Sequence, residues 1–388
     1  MTDTPFNHAL NWIETRTDPI AGKGLLDLAF AAGFLVFVLG LLALGYWMTE
    51  ISFDYVAYIG ATLLAFGSSA SPMDAWEFVR QYVSPEAFTE LTSAYPYRQV
   101  QSTDQVAFQS NLPLYSVKVG DIYLLQSLGP TLGWIQAGVW VNTMVAVLFA
   151  LVCLYWMVKT DSIQGAPIVA AVLLSMGFFD LIKTPSPDLI ASTLILIAAY
   201  LWIQSRQVLP LVLLLAAFLF RPDTLIFVFA LYLASYAFGL PKLRLAILFV
   251  ALLIGSNLIH LATSHPGWWI HYYFSNVQIQ DSLVGFDPAF SIMAWIKGQA
   301  RGVVMALTQF NWPILLIFLG TAILALQRCA KGFSKRQSAL IMASVLTIGG
   351  KFLVFPLPDD RLYLVFIVTT TLVLLDIAKP RLWANERA

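Results

Sequence analysis

The chain has 388 residues, of which 59% are hydrophobic and only 11% are charged. So few charges cannot cover the surface of a soluble globular protein of this length, which indicates that lipid surrounds much of the molecule. The 22 basic and 22 acidic residues give a net charge of zero. This balance excludes the basic surface that nucleic-acid binding requires.

Apolar stretches of the length needed to cross a bilayer, about 17–25 residues, recur along the chain. Prolines stand at or near the ends of several stretches, where a missing backbone donor costs least. We therefore predict an all-α, polytopic integral membrane protein with about ten transmembrane helices in a single domain, residues 1–388. The predicted spans cover residues 25–48, 133–158, 166–183, 187–204, 207–220, 223–239, 245–263, 309–327, 337–355 and 361–378.

Lysine and arginine predict the orientation, because they concentrate in the cytoplasmic loops of membrane proteins. With ten spans, one side receives Arg16, Lys23, Lys159, Arg206, Lys242, Arg244, Arg328, Lys331, Lys335, Arg336, Lys379, Arg381 and Arg387. We therefore predict a multi-pass protein of the cytoplasmic (inner) membrane with both termini in the cytoplasm. The first and second extracytoplasmic loops are then residues 49–132 and 264–308.

Residues 55–70 read YVAYIGATLLAFGSSA and are apolar enough for an additional span. An added span would invert every later basic loop, so we predict instead a helix in the membrane interface within the first outer loop. Tyr55, Tyr58 and the small residues of this segment suit such a position.

Ionisable residues near the outer ends of the spans are candidates for function, because charges at membrane depth are costly. The predicted topology brings them to one level of the membrane. They are Asp54, Lys183, Asp188, Arg221, Asp223, Lys351, Asp359, Asp360 and Arg361. An acid among several cations suits group transfer from a phosphate-linked donor. The carboxylate accepts the proton of an attacking hydroxyl, and the cations stabilise the departing phosphate.

Each of these residues also has a purely structural interpretation. Asp54 could only cap a helix, and the arginines Arg221 and Arg361 could only anchor span ends in the interface. Bidentate phosphate binding is the functional alternative for both arginines. Asp223 and Asp360 could support the site or simply pair with these arginines.

The sequence offers one set of candidate metal ligands, the histidines His260, His265 and His271. Their separations of five and six residues do not match a helical metal pair, so we expect no metal site. We favour contact of His265 or His271 with a phosphate or a sugar hydroxyl over metal binding. Trp268 and Trp269 could stack on a sugar, but we favour an aromatic belt at the interface.

Several segments together resemble the C-type (GT-C) glycosyltransferases, which take sugars from polyprenyl-phosphate carriers. An early Asp followed by a Tyr-containing helix stands at the family's position for the catalytic carboxylate. A Pro-Leu-Tyr return into the membrane, two mid-chain segments and an Asp-Arg-Tyr start of the last helix follow in the family's order. The segments are FDYVAYIGATLLAFG, LPLYSVKVGDIYLLQSLGP, SPDLIASTLILIAAYL, FRPDTLIFVFALYLA and PDDRLYLVF.

The resemblance implies a GT-C-like fold and an enzyme at the extracytoplasmic membrane face. It would move a hexosyl or pentosyl group, with inversion, from a polyprenyl-phosphate sugar donor to a hydroxyl of a glycan, lipid or protein acceptor. Asp54 would be the catalytic base. The residues expected to bind the donor phosphate are Arg221, Arg361, Lys183 and Lys351, and the supporting residues are Tyr58, Asp188, Asp223, Asp360, His265 and His271. We expect no cofactor beyond the lipid-linked substrate, and no metal, since the first outer loop lacks a D-x-D pattern.

Two alternatives stay open. An O-antigen-type polysaccharide polymerase would place its arginines inside the outer loops, which here hold Arg80, Arg98 and Arg301. A lipid or glycan transporter without chemistry would show inverted repeats and helices broken near mid-membrane. Neither pattern is clear in this sequence.

Overall fold

The computed structural model describes residues 23–67, 70–329 and 332–380. Within these ranges the chain is helical and has no β-strand, as predicted. Both chain termini and the basic residues Arg16, Lys331, Arg381 and Arg387 lie outside them. The helices α1 to α20 are Lys23–Trp47, Phe53–Ala65, Asp74–Tyr82, Pro85–Ser93, Pro96–Thr103, Gln105–Asn111, Pro113–Ser116, Val119–Leu132, Trp134–Lys159, Ala166–Ser175, Phe178–Lys183, Pro187–Ile203, Leu209–Phe220, Thr224–Ala237, Leu243–Ala262, Trp268–Asn276, Ile292–Gln309, Trp312–Arg328, Lys335–Val354 and Leu364–Ala378.

Four helices of the described chain are long and apolar enough to cross a membrane by themselves. They are Gly24–Trp47 within α1, Trp134–Lys159, Leu243–Ala262 and Lys335–Val354. The pair α17 and α18 makes a fifth candidate if it is one broken span, because its two helices meet at a bend of 73°. These helices are consistent with a multi-pass membrane protein.

The other predicted spans correspond to shorter apolar helices of 10–17 residues, including α12, α13, α14 and α20. A straight crossing of the hydrocarbon core needs about 20 residues. The structure therefore supports four or five full crossings, and the ten-span topology stays a prediction.

The predicted span 166–183 is not one helix, which corrects the sequence prediction. It divides into α10 and α11 because Gly177 adopts a φ of 69°, in the left-handed region. A residue in that conformation ends an α-helix, and glycine adopts it without steric cost.

Helix α2, predicted to lie in the membrane interface, is instead enclosed by protein. Ten of its 13 residues are buried, whereas an interfacial helix would keep one face in lipid. It contacts α3, α7 and α8, which belong to the same predicted outer loop. The segment predicted as the first outer loop is thus a small helical layer with its own apolar core, around Phe53, Trp76 and Phe108.

The apolar helices bring their loops together at two separate ends. At one end, Arg336 Nη1 donates to the carbonyl of Trp202 at 2.7 Å, and Lys379 Nζ donates to the carbonyl of Thr160 at 3.1 Å. At the other end lies Asp188, which is 14 residues before Trp202 on the same helix, or about 21 Å along its axis. Basic loop residues predicted to be cytoplasmic therefore meet at the end opposite Asp188.

Candidate active site

A cavity of about 380 Å³ lies at the Asp188 end of the bundle, between the first-loop helices and the ends of the apolar helices. Its volume is within the range of small-molecule sites, about 300–1,000 Å³. Residues from five regions far apart in the sequence line it. The polar and aromatic lining includes Asp54, Tyr115, Lys118, Arg221, Asp223, His260, His265, Trp268, His271, Ser275 and Lys351.

Helix termini place most of these side chains. Asp54 stands in the first turn of α2, after the N-cap residue Ser52, whose hydroxyl accepts from the amide of Tyr55. Arg221 is the residue that ends α13, and Asp223 is the residue that precedes α14. Polar residues at such points leave the apolar helix interiors intact and still reach the cavity.

Asp54 is a partly exposed carboxylate on the cavity wall. Tyr115 Oη donates to Asp54 Oδ1 at 3.1 Å. Among the described residues, no cation lies within ion-pair distance of Asp54. Its position and free acceptor capacity would allow it to receive a proton from a hydroxyl in the cavity.

Arg221 is the centre of a partly buried ion-pair network, three members of which line the cavity. Its Nη1 lies 2.5 Å from Asp188 Oδ1, and its Nη2 and Nε donate to the two oxygens of Asp223 at 2.9 and 3.1 Å. Lys351 Nζ lies 2.9 Å from Asp223 Oδ2. The pairing of Arg221 with Asp223 is the one anticipated for FRPD.

Arg361 joins the same network from the segment before α20. Its Nε lies 2.8 Å from Asp359 Oδ2 and 3.7 Å from Asp188 Oδ2. The partner anticipated for this arginine, Asp360, is elsewhere: its carboxylate accepts from the amides of Asn311 and Trp312 at 2.8–3.0 Å. Asp360 therefore fixes the start of α18, and Asp359 pairs with Arg361.

Lys183 is the candidate that the structure separates from the others. Its Nζ pairs with Glu50 at 3.1 Å and with Asp180 at 3.3 Å. It is not among the residues that line the cavity. The geometry thus gives Lys183 a local role between α1 and α11.

Lys118 lines the cavity and differs from the other two basic side chains there, Arg221 and Lys351. Its Nζ contacts the hydroxyl of Tyr58 and lies 4.5 Å from the centre of the Tyr58 ring. No carboxylate in the described chain lies within ion-pair distance of it. Burial lowers the pKa of Lys118. A partly buried cation without an acidic partner is costly, so an anion in the cavity would stabilise it.

The three histidines form one wall of the cavity. The rings of His260 and His265 stack at 4.5 Å, and His271 lies 5.5 Å from His265. Gly267 N donates to His265 Nδ1 at 3.1 Å, which assigns the His265 proton to Nε2. Burial lowers the pKa of His265 to about 4 and that of His271 to about 3, so both are neutral near pH 7. No group of three or more His, Cys, Asp or Glu side chains in the described residues is arranged to hold a metal ion.

The paired tryptophans have different surroundings. Trp268 lines the cavity and donates from Nε1 to the carbonyl of Val354 at 3.0 Å. Trp269 is not part of the lining and donates to the carbonyl of Pro288 at 3.0 Å. Trp268 is therefore available to a bound ligand, whereas Trp269 packs within the second outer loop.

Sequence reasoning did not select Lys118, Tyr115 or His260 as site residues. Tyr115 and Lys118 are three residues apart in PLYSVK, a separation that would place both on one side of a helical turn. This three-residue separation is the sequence feature that could have identified Tyr115 and Lys118 as site residues. Comparison of the chain with protein-family models, with curated proteins and with solved structures found no significant match.

Proposed function

We propose that this protein is a membrane glycosyltransferase that moves a sugar from a polyprenyl-phosphate donor to an acceptor hydroxyl. One observation carries the proposal: the cavity presents a carboxylate without a cationic partner, Asp54, and a cation without an acidic partner, Lys118. Transfer from a phosphate-linked donor needs both a base and a stabiliser of the leaving phosphate.

In the proposed reaction, Asp54 accepts the proton of the acceptor hydroxyl. The acceptor oxygen forms a bond to the anomeric carbon as the bond from that carbon to the phosphate oxygen breaks. The electron pair of the broken bond leaves with the polyprenyl phosphate, and attack from the opposite face inverts the anomeric configuration. Tyr115 would hold the Asp54 carboxylate toward the substrate through the observed hydrogen bond.

Lys118 would make the direct ion pair with the leaving phosphate. Arg221 and Lys351 also line the cavity, but their charges are already matched by Asp188 and Asp223. We propose that Asp188 and Asp223 hold these two cations in place, and that the cations donate further hydrogen bonds to the phosphate. Arg361, paired with Asp359, would help to fix the position of Asp188 and, through it, of Arg221.

We further propose that the cavity end is extracytoplasmic in the cytoplasmic membrane. The opposite end carries the loop residues Arg206, Arg244 and Arg336, as expected for a cytoplasmic side. A polyprenyl chain would remain in the lipid beside the short apolar helices while its phosphate reaches the cavity.

The test is sugar transfer by the purified protein from a panel of synthetic polyprenyl-phosphate sugars. We expect Asp54→Asn to lose at least about 100-fold of the activity, because general-base catalysis contributes about 10²–10⁴-fold. The matched control is Asp287→Asn, which changes an exposed acid of the second outer loop that does not line the cavity. Donor binding by Asp54→Asn should be preserved.

Two outcomes would overturn the proposal. Full activity of Asp54→Asn would exclude this residue as the base. Absence of binding to every polyprenyl-phosphate donor would exclude the donor class and favour a transporter.

A further inference from the structure

A second, much smaller cavity lies behind the candidate active site, between α8, α9 and the segment that leads into α12. Its volume is about 10 Å³. A cavity of this size holds about one water molecule or one small ion. Four polar side chains line it, those of Tyr55, Asp121, Asn142 and Ser186.

Three of the side chains that line this cavity carry a buried oxygen without a hydrogen-bond partner. The atoms are Asp121 Oδ2, Asn142 Oδ1 and Ser186 Oγ. Asp121 is 6% exposed and Asn142 is 2% exposed. Buried polar atoms are nearly always hydrogen-bonded, so three orphaned oxygens on one cavity indicate a missing ligand.

The geometry of Asn142 establishes that its unpaired amide atom is the acceptor oxygen. Its Nδ2 donates to the carbonyls of Leu181 and Ile182 at 2.6 and 2.8 Å. The amide cannot be reversed without losing both bonds, so Oδ1 must point the other way. The ligand therefore has to satisfy oxygens rather than donors.

Charge narrows the choice of ligand. In the described chain, no basic side chain lies within ion-pair distance of Asp121. A buried carboxylate without compensation is costly. One carboxylate with neutral oxygen ligands matches one positive charge, whereas Ca²⁺ carries two positive charges and takes about six to eight oxygen ligands.

We propose that this cavity binds a Na⁺ ion through Asp121 Oδ2, Asn142 Oδ1 and Ser186 Oγ. The small volume favours Na⁺ over the larger K⁺. Tyr55 completes the polar lining; its hydroxyl donates to the carbonyl of Trp134 at 2.7 Å and leaves its oxygen lone pairs available.

The ion would connect two segments that also contribute to the candidate active site or its ion-pair network. Asp121 follows Lys118 by three residues, and Ser186 precedes Asp188 by two. The bound ion would hold Lys118 and Asp188 at a fixed separation. The inference rests on the small cavity alone and does not depend on the proposed transferase activity.

The test uses the purified full-length protein and Na⁺ itself. Unfolding midpoints are compared in NaCl, KCl and N-methylglucamine chloride at equal concentration, and binding of radioactive sodium is measured directly. We expect saturable sodium binding and a higher unfolding midpoint in NaCl. At a concentration 100 times Kd, the folding equilibrium constant should rise about 100-fold.

Asp121→Asn should abolish the sodium dependence, and Asp287→Asn, an exposed acid remote from the cavity lining, should preserve it. Ser186→Ala removes one neutral ligand and should weaken sodium binding by about tenfold or more. If Asp121→Asn fails to fold, the sodium affinity of Ser186→Ala tests the proposal instead. Equal midpoints in all three salts without saturable sodium binding would overturn the proposal and assign the cavity to water. Unchanged sodium affinity in Ser186→Ala would overturn it as well.

Discussion

Lys118 offers a direct test of the proposal that the cavity binds phosphate. A hydrogen bond to a charged group is worth about 1.5–3 kcal/mol, so Lys118→Met should weaken binding of polyprenyl phosphate by about 10- to 100-fold. Isothermal titration calorimetry would measure the dissociation constant of polyprenyl phosphate for each variant. Lys297→Met is the matched control, since Lys297 is exposed and does not line the cavity. Equal affinity in both variants would contradict the assignment of the phosphate to Lys118.

The pH dependence of binding provides a second test of the same residue. Burial lowers the pKa of Lys118, so the side chain loses its positive charge at a lower pH than an ordinary lysine. Phosphate binding by the wild type should therefore weaken as the pH rises from neutral toward about 10. Lys118→Arg should retain binding over this range, because arginine stays protonated. Identical pH profiles would show that another group titrates.

Arg221 should contribute mainly to stability. Removing one member of a buried ion pair leaves its partners uncompensated and costs about 3–5 kcal/mol. We expect Arg221→Met to lower the free energy of unfolding by that amount. Arg80→Met is the control: Arg80 pairs with Glu77 at 3.6 Å, and both side chains are exposed. Such surface pairs contribute about 0–1 kcal/mol. Equal losses in denaturation experiments would contradict the network described around Arg221.

For individual residues, the local sequence predicted some contacts and missed others. Arg221 and Asp223 are two residues apart in FRPD, so their pairing follows from proximity along the chain. Sequence reasoning selected Lys183 and did not select Lys118, although both stand beside apolar segments. What separates them is the presence of acidic neighbours: Glu50 is 133 residues from Lys183 in sequence. Only the tertiary structure supplies such partners.

Among the helices, the close approach of α2 and α9 positions Asp54. A Cβ atom at Gly138 would overlap the hydroxyl and ring of Tyr55, which follows Asp54 in α2. Gly138→Ala should therefore displace α2, with a cost of about 1–3 kcal/mol for overpacking. The variant should lose thermal stability and sugar-transfer activity together.

The control for this substitution is Gly349→Ala in α19. Open space surrounds the Cβ position of Gly349. Because alanine favours the helix by about 0.8–1.0 kcal/mol over glycine, this variant should be neutral or slightly more stable. Comparable destabilisation of both variants would show that glycine content alone, rather than contact with Tyr55, explains the effect.

Helix boundaries were predictable where apolar length and tight turns determine them. The predicted spans 133–158 and 245–263 agree within two residues with α9 and α15. The break at Gly177 was missed, because glycine in an apolar run predicts a helix end only when its backbone conformation is known. The enclosure of α2 was also missed, since its neighbours α3, α7 and α8 share its loop but carry mixed polar sequence.

Over the whole molecule, the apolar helices separate a basic end from the end that holds the cavity. Sequence predicts this division because each short loop can be assigned from its Lys and Arg content. It cannot predict how many helices cross the full bilayer. Helices such as α13, with 12 residues, are too short to span it alone and reach full depth only if the surrounding protein or a locally thinner membrane accommodates them.

The orientation itself can be tested by cysteine labelling in intact cells. The background lacks both native cysteines, the buried Cys153 and the exposed Cys329. Asp287→Cys lies in an exposed part of the second outer loop, and Arg206→Cys is exposed in the loop between α12 and α13. An impermeant thiol reagent should modify Asp287→Cys in intact cells and Arg206→Cys only after lysis, because basic loops remain in the cytoplasm. The reverse pattern would place the cavity in the cytoplasm. A polyprenyl-phosphate sugar presented outside the cell could then not reach Asp54, so the orientation also tests the proposed donor class.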